Sequence, residues 1–96
     1  MPVLNTVALI RARDGSGEVV RAALTELQAR TREEEGCRRY DLFESAATPG
    51  TFVTVEEWTD QPALDQHLTS PHIAAALAAV DGALASPPEI HPLHDL

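Results

Sequence analysis

The residues of this chain best suited to chemistry fall between Phe52 and His72, in the run FVTVEEWTDQPALDQHLTSPH. Its single tryptophan, Trp58, is followed by His67 nine residues later and by His72 five after that. Histidine is the side-chain type that changes charge nearest neutral pH, so His67 and His72 are the candidate acid–base groups. An indole offers a flat apolar face and one N–H donor, which makes Trp58 a candidate wall for a planar ligand. Together they could hold a flat ring and exchange a proton with it. Any small-molecule site is therefore expected in this run.

Each candidate has a plainer role beside the chemical one. Trp58 could simply be the largest core residue, and His67 a histidine bonded to a backbone carbonyl. His72, directly after Pro71, either joins the site or holds the turn. Glu56 shares a strand face with Trp58 and either orients a histidine or forms a structural ion pair, the simpler reading. Asn5 is a polar residue in an otherwise apolar strand, and a buried amide needs partners. Tyr40 offers a phenolic donor from a second strand. Cys37 has no neighbouring histidine and opens a strand, so it is expected to be an inert thiol. His91 and His94 are three apart in a strand and so point to opposite faces. A set of His67, His72 and Glu56 would be a loose two-histidine, one-carboxylate metal site. No Gly-rich dinucleotide loop occurs. The expectation is no metal and no cofactor.

The elements that must position these residues can be read from periodicity. Val3–Arg13 is aliphatic on both faces, as for a central strand covered on both sides. Asp14-Gly15-Ser16-Gly17 is a turn, and Ser16 is placed to cap a helix with Glu18 in its first turn. Val20, Ala23, Leu24 and Leu27 form that helix's apolar stripe. Arg30–Glu35 (RTREEE) reads as its solvated end; acids there oppose the helix dipole, so fraying is expected. Gly36 is the stop.

Cys37–Ser45 reads as a strand with Tyr40 and Leu42 on one face and Phe43 on the other. Thr51–Trp58 alternates cleanly, Val53 and Val55 against Phe52, Thr54, Glu56 and Trp58. The short AATPG link makes these two strands an antiparallel hairpin. Asp60 and Pro62 begin a short helix with Leu64, His67 and Leu68 on one face. Ser70-Pro71 breaks it, and Ile73–Leu84 continues as an alanine-rich helix. Glu89–Leu96 is a last strand that Pro92 confines to an edge or a bulge. The order β-α-β-β-α-β predicts an α+β, ferredoxin-like split βαβ fold, with a four-stranded antiparallel sheet and helices on one face. The sheet is apolar on both faces, so a second copy is expected to cover the other.

Ninety-six residues form one domain, residues 1–96. The net charge of −8 argues against nucleic acid and against an anionic membrane surface. One cysteine excludes an internal disulfide. Without a signal segment or an apolar run of ~20 residues, the expected location is cytoplasmic.

The segments GCRRYDLFES and PGTFVTVEEW, followed by HLTSPH, resemble the antibiotic biosynthesis monooxygenase family. The resemblance spans nearly the whole chain. It implies a dimeric α+β barrel, two ferredoxin-like subunits joined sheet to sheet. The family includes cofactor-independent oxygenases of polyphenols and quinols, haem-degrading oxygenases and an isomerase of a phosphorylated sugar derivative. The resemblance places His67 in the pocket and draws attention to Asn5, because haem-degrading members use a first-strand asparagine. The reading is a homodimeric, cofactor-independent monooxygenase of a quinol or polyphenol. A histidine (His67 or His72) takes the proton, Trp58 packs on the ring, and Asn5 or Tyr40 holds an oxygen. The alternatives are an isomerase, a haem-degrading oxygenase, or a non-catalytic dimer that binds an apolar ligand. Haem would want basic groups for its propionates, and all seven basic residues are arginine.

Overall fold

Residues Thr51–Trp58 form a strand whose burial alternates at every position, with Phe52, Thr54, Glu56 and Trp58 buried. This is the two-residue period of its sequence turned into one inward and one outward face. The computed structural model describes residues 3–96. Along the chain run β1 (Leu4–Arg11), α1 (Gly17–Thr31), β2 (Cys37–Glu44), β3 (Thr51–Trp58), α2 (Gln61–Leu68), α3 (Pro71–Ala79) and β4 (Glu89–Pro92). The strands pair antiparallel in the order β2-β3-β1-β4. That is the ferredoxin-like arrangement the element order predicts, with β1 and β3 central.

The register decides what meets what. Tyr40 pairs with Glu56, Glu56 with Thr6, and Ala8 with both Thr54 and Ile90. All six lie on the face that the helices cover. Two core clusters fill the space beneath the helices. The larger joins Ala8, Ile10 and Phe52 of the sheet to Val20, Leu24 and Leu27 of α1 and to Ala76 and Val80. The smaller joins Tyr40 and Trp58 to Leu64 of α2. Gly36 allows that helix to come close: a Cβ at this position would stand 2.6 Å from the Ala63 Cβ.

Both short helices begin with a side-chain cap. The Asp60 carboxylate accepts from the Ala63 N–H, and the Ser70 hydroxyl oxygen accepts from the Ile73 N–H. Ser16 precedes α1 but makes no side-chain cap bond. Besides β2, which ends at Glu44 and not at Ser45, three boundaries differ from the sequence expectation. The first strand is shorter, Leu4–Arg11 rather than Val3–Arg13. The third helix is Pro71–Ala79, not Ile73–Leu84. Its apolar pattern persists to Leu84 because the following turn still buries Val80 and Ala83. Gly82, at φ +77°, reverses the chain there, and Leu84 bridges back to Ala12. The last strand covers Glu89–Pro92 only and lies at the sheet edge, where Pro92 needs no ladder donor.

The Arg30–Glu35 stretch is not a frayed helical end. The helix stops at Thr31, and two turns follow, closed by bonds from Glu33 N–H to Arg30 O and from Glu34 N–H to Thr31 O. These turns carry Glu34 under α2 and α3.

Candidate functional site

Glu34 is the residue on which the two histidines converge. Its Oε2 lies 2.6 Å from His67 Nδ1 and 2.7 Å from His72 Nε2. Its side chain is only 17% exposed, so these bonds form out of bulk water. The helix break makes the convergence possible. Residues five apart on one continuous helix would lie about 140° apart around its axis. Here His67 ends α2 and His72 begins α3, and the joint at Thr69-Ser70 turns both rings towards one carboxylate. A carboxylate can only accept, so it holds the proton of neutral His67 on Nδ1 and leaves the Nε2 lone pair free.

A second buried carboxylate lies on β3. Glu56 accepts at Oε1 from the Trp58 indole N–H, at 2.9 Å, and at Oε2 from the Thr54 hydroxyl. All three are alternate residues of one strand and share the inward face. The ion pair expected for Glu56 is absent among the described residues; hydrogen-bond donors hold its oxygens instead. The Trp58 ring centroid is 4.6 Å from that of His67, and Tyr40 is 5.8 Å from His67 on another side.

These groups border a cavity of about 320 Å³ between the sheet and the helices. Among the described residues Tyr40, Glu56 and His67 are its only polar lining residues; the rest are aliphatic side chains and Pro88. Burial, with the nearby Glu56 charge, drives the Tyr40 phenol far above its usual range, so it stays protonated and can donate. The Cys37 thiol is pushed up to about 11 by burial and by Glu34 and Glu56, which keeps it an unreactive thiol near neutral pH.

The predicted site residues divide accordingly. His67, Tyr40 and Glu56 reach the cavity. Trp58 does not line it: the indole is fully buried behind His67 and Glu56 and acts as a support, not as a wall for a ligand. His72 also stays off this cavity and is linked to it through Glu34 and His67. Asn5 is exposed on the opposite face of the sheet, because its position in β1 is one residue out of step with Thr6 and Ala8. His91 stands beside Glu89 at the sheet edge, away from this cluster.

Sequence reasoning missed Glu34 and Thr6. Glu34 was hidden inside a charge run, although three acids following a helix end are an electrostatic anomaly that could have flagged it. Thr6 faces Glu56 across the sheet, is buried, and its hydroxyl has no protein partner; nothing in the sequence marks it.

One metal arrangement is sterically available. Glu34, His67 and His72 offer three ligand atoms within 4.8 Å of one another. The carboxylate is Glu34 and not Glu56, which is committed to Trp58 and Thr54. The contacts of 2.6 and 2.7 Å are hydrogen-bond lengths. A divalent ion ~2.0–2.2 Å from each ligand would displace both protons and push these atoms apart.

The comparisons with known proteins agree with this fold. The description "Antibiotic biosynthesis monooxygenase" matches residues 4–79. A Mycobacterium tuberculosis protein named "Putative monooxygenase Rv0793" is 38% identical over 81 residues, 84% of this chain and 79% of that protein. The solved structure of Rv0793 superposes with a TM-score of 0.88 at 35% identity, covering 98% of this chain and 95% of the other. "Putative monooxygenase YcnE" of Bacillus subtilis is 30% identical over 83 residues, 86% of this chain and 87% of that protein. The crystal structure of PA3566 from Pseudomonas aeruginosa superposes with a TM-score of 0.91 at 29% identity, covering 100% of this chain and 96% of the other. A match running from β1 to the end of α3, taking in Glu34, Tyr40, Glu56, His67 and His72, makes this chain a member of the antibiotic biosynthesis monooxygenase family.

Proposed function

We propose that the protein is a homodimeric monooxygenase that oxidises a quinol or related phenol with O2, drawing its electrons from the substrate. The observation that carries this reading is one buried histidine at the polar end of an aliphatic cavity. A carboxylate holds its Nδ1, and its Nε2 is free. In this reading His67 Nε2 takes the phenolic proton, and the Tyr40 hydroxyl donates to the resulting oxyanion. The aliphatic walls keep water from it. The electron-rich ring passes one electron to O2, the two radicals join through a C–O bond, and the peroxide takes back the proton from His67. Breaking the O–O bond with loss of the ring hydrogen leaves one oxygen atom on a quinone product and the other in water. Substrate and O2 balance the product and water without an outside reductant. No Lys or Arg lines the cavity, so haem propionates or a phosphorylated sugar would find no counter-charge there.

The second sheet face supports the dimer. Val7, Leu9, Val53 and Val55 lie on it, Phe43 is half exposed, and no helix of this chain covers it. Size-exclusion chromatography with light scattering at micromolar concentration is expected to give twice the mass of the chain; a stable monomer removes the barrel. The activity test is O2 consumption by purified protein with simple hydroquinones, with water and the hydroxylated quinone as products. If several quinols bind and none is oxidised, the protein is a ligand-binding dimer instead.

A further inference from the structure

The cavity is polar at one end only, and its polar end is the closed one. Tyr40 on β2 and Glu56 on β3 form a cross-strand pair, His67 caps them from α2, and all three are buried. From there the cavity passes Ala8 of β1 and reaches Ile90 of β4, three strand spacings or roughly 14 Å from β2. The exposed lining residues are Leu77 on α3, at 50%, and Ile90, at 41%. Both are at the apolar end, which therefore opens to solvent. A single aromatic ring is accommodated by a cavity of about 150 Å³. The cavity here is about 320 Å³. A bare quinol held at the polar end would leave about half of it to be filled by something apolar. Among the described residues no titratable group other than Tyr40, Glu56 and His67 lines it, and the apolar end has none to pair with an ionised substituent.

We propose that the substrate is a quinol carrying an unbranched or isoprenoid hydrocarbon chain. The ring sits against Tyr40, Glu56 and His67. The chain runs over Ala8 and leaves between Leu77 and Ile90. This rests on the quinol reading above and names the substrate class for the same site.

The test is a series of 2-alkyl-1,4-hydroquinones from methyl to nonyl, bound anaerobically and measured by calorimetry, with O2 uptake measured separately. Each methylene taken from water is expected to tighten binding about 4-fold. The gain should level off once the chain emerges past Ile90. Leu77→Ser and Ile90→Ser, both at exposed positions and checked by circular dichroism, should flatten that dependence for the longer chains. Equal or weaker binding of long chains overturns the proposal, and so does a chain-length dependence that both variants leave unchanged, which would be non-specific partition. If the methyl compound is oxidised and the longer ones are excluded, the chain proposal falls and the oxygenase reading stands. If the chain-length dependence is present and no compound consumes O2, the oxygenase reading falls and the chain-binding limb stands.

Discussion

His67→Ala is expected to lower quinol-dependent O2 consumption by about 10²–10⁴-fold, the range for loss of a positioned general base. The magnitude follows from the geometry. His67 is the one histidine that lines the cavity, and its Nδ1 bond to Glu34 is what leaves Nε2 as the basic atom. The fold should persist, because Leu64 and Leu68 still pack α2 onto the smaller core cluster. Circular dichroism and dimer mass are the controls. Glu34→Gln keeps an acceptor but removes the charge; its loss should be smaller, about 10–100-fold, the scale for removing a histidine's outer partner. A folded His67→Ala dimer with full activity would make His67 structural. Because His72 does not reach the cavity, no other histidine could then serve as the base.

Trp58→Ala should give the largest loss of stability among single substitutions near the site. Deleting a buried tryptophan costs about 3–5 kcal/mol. The indole is fully buried against Tyr40, Leu64 and the His67 ring. Its N–H is also one of two donors to the buried Glu56 carboxylate, and leaving such an acceptor short costs about 1–3 kcal/mol more. Domains of this kind are stable by only about 5–15 kcal/mol. Thermal unfolding at fixed protein concentration should therefore show a midpoint at least about 12 °C lower. Trp58→Phe separates the two causes: it keeps most of the ring packing and loses only the donor, so its loss should fall near the second figure. A Trp58→Ala protein that melts within a few degrees of wild type would mean that the small cluster contributes little to the fold.

The parts of this architecture that read clearly from the sequence are those in which local pattern and tertiary environment agree. Phe52, Thr54, Glu56 and Trp58 alternate with Val53 and Val55, and the inward face of β3 is that same set. Asp60 with Pro62, and Ser70 with Pro71, mark two helix starts, and both serve as caps. The site was less legible because its key contacts are distant in sequence. Glu34 meets histidines 33 and 38 residues away, and no local pattern separates it from Glu33 and Glu35. Asn5 shows how parity decides function: one step along β1 moves a side chain from the covered face to the open one. Trp58 lies on the expected face and in the expected neighbourhood, but deeper than the cavity wall. A strand reading gives the face of the sheet, not the depth, and here the ring lies beneath the histidine and not at the cavity wall.

The joint between α2 and α3 has a consequence for which changes in chain length the protein can absorb. One residue added at Thr69-Ser70 could leave both helices, both caps and every apolar face intact. It would still move His72 relative to Glu34, because the connector sets where α3 begins. Loops normally accept such insertions readily, and the surface loop at Ala46–Gly50 is an ordinary example. The joint at 69–70 is different, because its length fixes the bearing of one ring relative to another. In this chain a two-residue connector decides whether two imidazoles can share the Glu34 carboxylate.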